Sequence, residues 1–442
     1  MTMQSFAVSL PTTTVSPIRL AGIPHILFET WADLSPESTA VNGDNGTLTY
    51  LDVEQRANRI ANALRSAGVQ KGDLVALFLE RGPDLVCALM GILKSGAAFV
   101  ALDPKTPKEA LARILDSVDC KFLLSRSTLT AGLPPTSAQV LFLDDESWLS
   151  RHPVSRPISL AGPHDPACVL FTSGSSGKPK AVLYLHRNLA VRFSNTTRVS
   201  GFDQFSVFAQ SSPVTSIDAI DEILLPLVNG GSTSILPYDT VTNPHRLIES
   251  LTTHGVTHIL LVPSLLRVIL AAAEDLHTNL AALRTWIIGG EPLTSALTCQ
   301  FYEQLPWAVL INFYGLTEGD ATYHVTSPGF HYRTNVPIGR PVQGTRVYLL
   351  DENLKAVPDA QAGEICLTGD GLSHIYLNCP ELNAERWVRN PFEVNDSYAR
   401  LFRTGDMGRI NSDGEIEYLG RRDRLVKVRG FRVELGEVEA VL

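Results

Sequence analysis

The segment Phe171-Thr172-Ser173-Gly174-Ser175-Ser176-Gly177-Lys178-Pro179-Lys180 holds the densest set of chemistry-capable residues in the chain. Its glycines let backbone N–H groups approach a ligand closely. Its serines and threonine add hydroxyl donors, and its lysines add positive charge. That set suits a polyphosphate. It is not a Walker A loop, because only two residues separate Gly174 from the Gly177-Lys178 pair and Pro179 stands where a Ser or Thr would hold magnesium. A flexible Ser/Gly linker is the plain alternative, although a linker would not usually sit against a buried strand such as Val169 to Thr172. A second candidate is weaker. His254 and His258 have the helical metal spacing, but no Glu follows His254, Gly255 weakens a helix and no third ligand is evident. They read as packing or surface histidines.

The elements that must position the loop follow βαβ grammar. Asp52 to Ala67 has helical apolar spacing and ends at Gly68; Leu74 to Leu79 is a buried strand. Pro83 to Lys94 is helical, and Ala98 to Leu102 is a strand stopped by Pro104. After a looser Pro/Ser-rich stretch, Thr130 to Pro166, buried elements recur at Val169 to Thr172, Ile223 to Val228, Ile259 to Val262 and Trp286 to Ile288. This predicts an α/β fold with mainly parallel sheets covered by helices. From about Ile338 to Leu419 strands shorten and turns such as Asp351-Glu352-Asn353 and Ser412-Asp413-Gly414 separate them, which predicts an antiparallel or barrel-like lobe.

Composition bounds the function. The 442 residues are 44% hydrophobic and 19% charged, with a formal net charge of −9, which argues against nonspecific binding to nucleic acid or an anionic membrane. No apolar run is long enough to span a bilayer, and Met1 to Pro17 lacks the pattern of a signal peptide. The six scattered cysteines never form Cys-x-x-Cys and read as reduced core thiols of a cytoplasmic protein.

The Thr172 to Lys180 segment resembles the phosphate loop of the adenylate-forming superfamily, and further motifs follow in that family's order. Leu48-Thr49-Tyr50 and Leu93-Lys94-Ser95-Gly96-Ala97-Ala98-Phe99-Val100-Ala101-Leu102-Asp103-Pro104 resemble its first two. Asn312-Phe313-Tyr314-Gly315-Leu316-Thr317-Glu318, Gly363-Glu364-Ile365, Arg403-Thr404-Gly405-Asp406 and the Gly420 to Glu439 stretch are similar to later ones. The texture is closest to adenylation domains of nonribosomal peptide synthetases. The resemblance implies a large N-terminal core (20–419, after a loose lead-in at 1–19). This core would have two α/β sheet subdomains to about 337, a β-barrel-like lobe at about 338–419, and a hinge plus the start of a C-terminal subdomain at 420–442.

It also implies ATP-dependent activation of a carboxylic acid as an acyl-adenylate, for transfer to the phosphopantetheine thiol of a downstream carrier-protein domain. By the same resemblance Thr172, Ser173, Gly174, Ser175, Ser176, Gly177 and Lys178 would close over the β- and γ-phosphates together with Lys180. Thr317 would meet the α-phosphate and Glu318 would hold Mg²⁺. Tyr314 would stack on adenine, Asn312 would bond its amine, and Gly289, Gly290 and Glu291 would line the purine. Asp406 would accept the ribose hydroxyls beside Arg421, and Asp423 would be the hinge. Each residue has a duller reading: Tyr314 as a core aromatic, Asp406 as a turn cap, Glu318 as a solvated acid at a helix start. Leu316 stands where the family has Pro, which predicts a looser turn; Ala181 replaces a usual Gly. The family's late lysine motif is missing from the sequence, so slow or absent turnover is expected. An acyl-CoA ligase and a nucleotide-binding module without turnover are the competing functions.

For the acid, the resemblance places Ile217, Asp218, Asp221, Leu260, Ile287, Gly289, Phe313, Ala321 and Thr322 around the substrate. Ile217 falls where an aspartate usually pairs the α-ammonium, and it cannot neutralise that charge. Asp218 and Asp221, taken as carboxylates without a partner, point instead to a cationic acid such as a betaine or a β- or ω-amino acid, with a cation–π contribution from Phe313. The alternative is a one-residue misalignment and an ordinary α-amino acid.

Overall fold

The computed structural model describes residues 22–44, 46–172, 179–273, 275–330, 332, 335–393, 398–422, 425–428 and 431–434, the last eight as backbone only. Ser173, Gly174, Ser175, Ser176, Gly177, Lys178 and Asp423 lie outside the described residues.

The first sheet runs Ile375–Tyr376, Lys180–Leu185, Pro166–Thr172, Ala98–Leu102, Leu74–Phe78, Cys120–Ser125, Gln139–Phe142. Its last five strands are parallel, and Pro166–Thr172 and Lys180–Leu185 form an antiparallel pair. Ala98–Leu102 is buried throughout, as continuous apolar runs are when helices cover both faces of a parallel sheet. The Tyr50–Ser66 helix begins at a capping box in which Thr49 and Asp52 satisfy each other's backbone N–H. It crosses the Pro83–Ser95 helix closely: a Cβ on Gly91 would fall 2.6 Å from Ile60 Cγ2. Gly96, at φ 91°, ends that second helix.

The second sheet has nine strands. Six of them are parallel: Thr39–Gly43, Ser232–Ile235, Val207–Gln210, His258–Leu261, Thr285–Ile288 and Val309–Leu316. Antiparallel Leu48–Thr49 closes one side, and Gly319–Val325 followed by Arg340–Pro341 closes the other. The Ile223 to Val228 run, expected as a buried element, is the second half of the Ile217–Val228 helix, buried except at Asp218; an apolar stripe all round is what a fully enclosed helix needs. The looser stretch holds one short strand, Gln139–Phe142.

The third sheet is antiparallel, as expected. Thr345–Leu350 pairs Gly363–Gly369, which pairs the long Arg400–Ile410 strand. The far side of that strand takes Trp387–Arg389 and then Ile416–Arg421. Leu425–Val428 and Phe431–Glu434 pair as a two-stranded antiparallel sheet. The sheets interlock, because Ile375–Tyr376 leaves the antiparallel region to pair with Lys180–Leu185 of the first sheet. Among the described residues no helix is long and apolar enough to cross a membrane. All six cysteines are free, four of them buried.

Candidate active site

The carboxyl ends of parallel strands are where α/β sheets place ligands; Thr172 and the Asn312 to Leu316 stretch lie toward such ends, and Tyr314 links the second of these to Asp406 of the third sheet. Asp406 sits mid-strand, fully buried, directly across from Arg421. Arg421 donates from Nη1 to Asp406 Oδ1 at 2.7 Å, and Tyr314 donates its hydroxyl to Oδ2 at 2.6 Å. Burial and the neighbouring Asp406 push the Tyr314 phenol well above its ordinary range, so it stays a donor. The backbone around Asp406 is fixed by its neighbours: Thr404 Oγ1 accepts from the Asp406 N–H, and Glu364 accepts from the Gly405 N–H and from Arg403. Asn312 donates from Nδ2 to the carbonyls of Val336 and Pro337. This orients its side-chain oxygen as the remaining acceptor, the group an adenine amine requires. Gly290 has φ 81°, open to glycine at little cost. Glu291 accepts from the Ser264 N–H.

The second cluster lies at the hairpin between Val309–Leu316 and Gly319–Val325. Leu316 pairs with Gly319, so Thr317 and Glu318 are the two residues of a tight turn, not the looser turn that Leu in place of Pro predicted; the ladder closes it without proline. Tyr184 donates to the Thr317 carbonyl at 2.6 Å, and Tyr376 donates to Glu318 Oε1 at 2.5 Å. Both tyrosines come from the first sheet, so the carboxylate of Glu318 is set by strands remote in sequence. Thr172 and Lys180 are cross-strand partners at the root of the Gly/Ser segment, both buried. Thr172 Oγ1 has no hydrogen-bond partner among the described residues, an acceptor and donor left for a ligand. Motif order alone gave no sign of Tyr184 or Tyr376; each reads as one more core aromatic.

Of the residues expected around the acid, Leu260 and Ile287 are in register with each other and with Ile311 across three strands, and Phe313 lies two residues on, on the same face. Ile217, Ile287, Ala321, Leu260 and Phe313 belong to one apolar cluster. Gly289 is close-packed: a Cβ there would sit 3.0 Å from the Phe313 carbonyl. Ala321 is an extra residue between the Tyr314–Thr322 and Gly315–Asp320 pairs, a bulge that re-aims the side chains on either side of it.

One expectation is overturned. Asp221 is not a carboxylate lacking a partner: Arg192, 3% exposed, grips it from Nε at 2.7 and 2.9 Å and from Nη2 at 2.6 Å. The same guanidinium bonds Asp320. Burial pushes Asp221 up to about 6 and Asp320 up to about 7, with Arg192 pulling both back. Burial opposes the charge of Arg192, but the two aspartates outweigh it and hold the guanidinium protonated. Asp218 is less enclosed, its side chain 44% exposed and 3.6 Å from Arg192 Nη2. Sequence reasoning passed over Arg192 because its helix, His186–Ser200, is rich in polar residues, yet all but Arg187 and Arg198 are buried. Next in the chain, Glu222 accepts from the N–H groups of Ser211 and Ser212, and burial pushes it up to about 8. The histidines pack as expected: His258 is buried against Thr257 and the Ser200 carbonyl, and His254 bonds Ser234.

Comparison with known proteins finds relatives along nearly the whole chain. The chain is 36% identical over 428 residues to a mycosubtilin synthase subunit of Bacillus subtilis, covering 95% of this chain and 16% of that protein. It is 36% identical over 423 residues to tyrocidine synthase 3 of Brevibacillus parabrevis, covering 94% of this chain and 6% of that one. It therefore spans a small fraction of the length of these relatives. Among solved structures, the nonribosomal peptide synthetase FmoA3 superposes with TM-score 0.84 at 28% identity, over 91% of this chain and 43% of that one. FmoA3 has also been solved with α-methyl-L-serine-AMP bound, at 29% identity and the same TM-score. Residues 28–377 match the AMP-binding enzyme family model; with this coverage, the chain belongs to the AMP-binding enzyme family and is similar to the adenylation cores of nonribosomal peptide synthetases.

Proposed function

We propose that this chain binds Mg·ATP and an amino-acid-like or cationic carboxylic acid, forms the acyl-adenylate, and serves a carrier-protein thiol. The observation that carries the reading is two buried acids, one mid-strand in the third sheet and one in the turn that follows Val309–Leu316, each held by named donors. Asp406 is held by Tyr314 and Arg421, and Glu318 is held by Tyr376. In the reaction a carboxylate oxygen bonds to the α-phosphorus, the α–β phosphoanhydride breaks, and pyrophosphate leaves with the electron pair. The carrier thiol then attacks the acyl carbonyl and AMP leaves. The protein's part is positioning and charge neutralisation. Asp406 takes the ribose hydroxyls, Tyr314 and Asn312 the adenine, and Thr317 the α-phosphate. Thr172, Lys180 and the Ser173 to Lys178 segment take the outer phosphates. Glu318 holds Mg²⁺, a hard cation that offsets phosphate charge when bound.

A thermal-shift panel tests this without turnover, since a ligand that prefers the folded state raises its melting temperature by mass action. Mg·ATP is expected to raise the melting temperature, and one acid among glycine betaine, carnitine, lysine, β-alanine, phenylalanine and octanoate to raise it further. No response to Mg·ATP would count against the proposal.

A further inference from the structure

Three carboxylates and one guanidinium meet where the His186–Ser200 and Ile217–Val228 helices pack against the Gly319–Val325 strand. Arg192 engages both oxygens of Asp221 but only Oδ1 of Asp320. Asp320 is 2% exposed, and its Oδ2 has no hydrogen-bond partner among the described residues. A buried acceptor without a donor is costly. The ladder shows which way Asp320 faces. Gly315 pairs with Asp320 across the hairpin, two residues beyond the Phe313–Tyr323 pair, so Asp320 shares the face of Phe313, Ile311, Ile287 and Leu260. A Cβ on Gly315 would lie 3.2 Å from Asp320 Oδ1. On the same strand Thr322 Oγ1 is also buried without a partner among the described residues.

We propose that Asp320, positioned by Arg192, is the anchor for a positive charge carried by the acyl substrate. This inference rests on the adenylation reading above. Asp221 is then a structural partner of Arg192, and the substrate cation sits at the bulged strand, not at the Ile217 position. The acids that fit are ω-amino acids, whose charge lies away from the α-carbon, and betaines, whose α-nitrogen is quaternary and has no N–H to donate. Phe313, on the same face, supplies an aromatic surface suited to an alkylated ammonium.

The test is calorimetric binding to the whole chain in the presence of Mg·ATP, with charged acids set against uncharged isosteres. The pairs are glycine betaine with 3,3-dimethylbutanoate, and 5-aminopentanoate with hexanoate. The expected result is one charged acid binding at least tenfold more tightly than its isostere, with Asp320→Asn collapsing that ratio toward one while the isostere's affinity stays. Where Asp320→Asn fails to fold, Asp320→Glu keeps the charge but moves it. It is expected to change which of the two charged acids binds better, and an unchanged ranking overturns the proposal. Mg·ATP binding without any preference for a charged acid, or without binding of any of the four acids, overturns it and leaves the adenylation reading standing. A preference that survives Asp320→Asn and vanishes in Asp218→Asn overturns it as well. Failure to bind Mg·ATP at all removes the adenylation reading on which the proposal rests.

Discussion

Arg192 shows how much one buried charge can decide. It holds two aspartates from two different elements, and removing one partner of a buried ion pair leaves charge uncompensated at a cost of about 3–5 kcal/mol. Arg192→Met is therefore expected to lower the unfolding free energy by that order, and the triple variant Arg192→Met/Asp221→Asn/Asp320→Asn to recover most of it. Denaturant melts of the two check this; equal losses would contradict the clamp. Tyr376 is a second case. Its hydroxyl bonds Glu318 at 2.5 Å, and hydrogen bonds to charged groups contribute about 1.5–3 kcal/mol. If Glu318 holds the metal, Tyr376→Phe should weaken Mg·ATP binding roughly tenfold or more, while binding of ATP without magnesium changes little. Glu222 supplies a pH signature. Burial raises it to about 8 from 4.5, against the Ser212 donors and with Asp218 and Arg81 nearby, so the folded state holds its proton more tightly than the unfolded state. Its contribution is present below about pH 4.5 and is lost as pH rises toward 8. The melting temperature of Glu222→Gln relative to the parent should therefore climb between pH 5 and 8, and a flat difference would refute this.

At the scale of elements, periodicity made the parallel strands and their helices legible, because enclosed strands are continuous apolar runs and capped helices announce their ends. Ala98–Leu102 was legible residue for residue, and the Pro83–Ser95 helix to within one residue. The Ile217–Val228 helix was legible only as a buried element, since its all-apolar second half has no amphipathic period. The His186–Ser200 helix was not recognised as enclosed, because burial of Asn188, Arg192, Asn195 and Thr196 comes from packing between sheets and not from hydrophobic pattern. Within the site, ordered motifs led to Asp406, Arg421, Thr317 and Glu318, whereas Tyr184, Tyr376 and Arg192 depend on contacts between distant strands. Close helix crossing gives a test of its own: Gly91→Ala places a Cβ 2.6 Å from Ile60 Cγ2 and 3.1 Å from the Ala57 carbonyl. Overpacking of about 1–3 kcal/mol should outweigh the helix-propensity gain of about 1 kcal/mol, so the variant should melt at lower denaturant.

The whole molecule joins three sheets at one place. The first contributes Thr172, Lys180, Tyr184 and Tyr376, the second Asn312, Tyr314 and the Thr317–Glu318 turn, the third Asp406 and Arg421. A nucleotide spanning these residues would touch all three, so binding should stabilise the fold as a unit. The most direct measurement is titration calorimetry of Mg·ATP into the chain and into Asp406→Asn, which preserves shape and removes the charge that faces Arg421 and that is proposed to take the ribose. The account predicts saturable binding to the parent chain and an affinity at least tenfold weaker in a variant that remains folded. Equal affinity in the two proteins would contradict the nucleotide site described here.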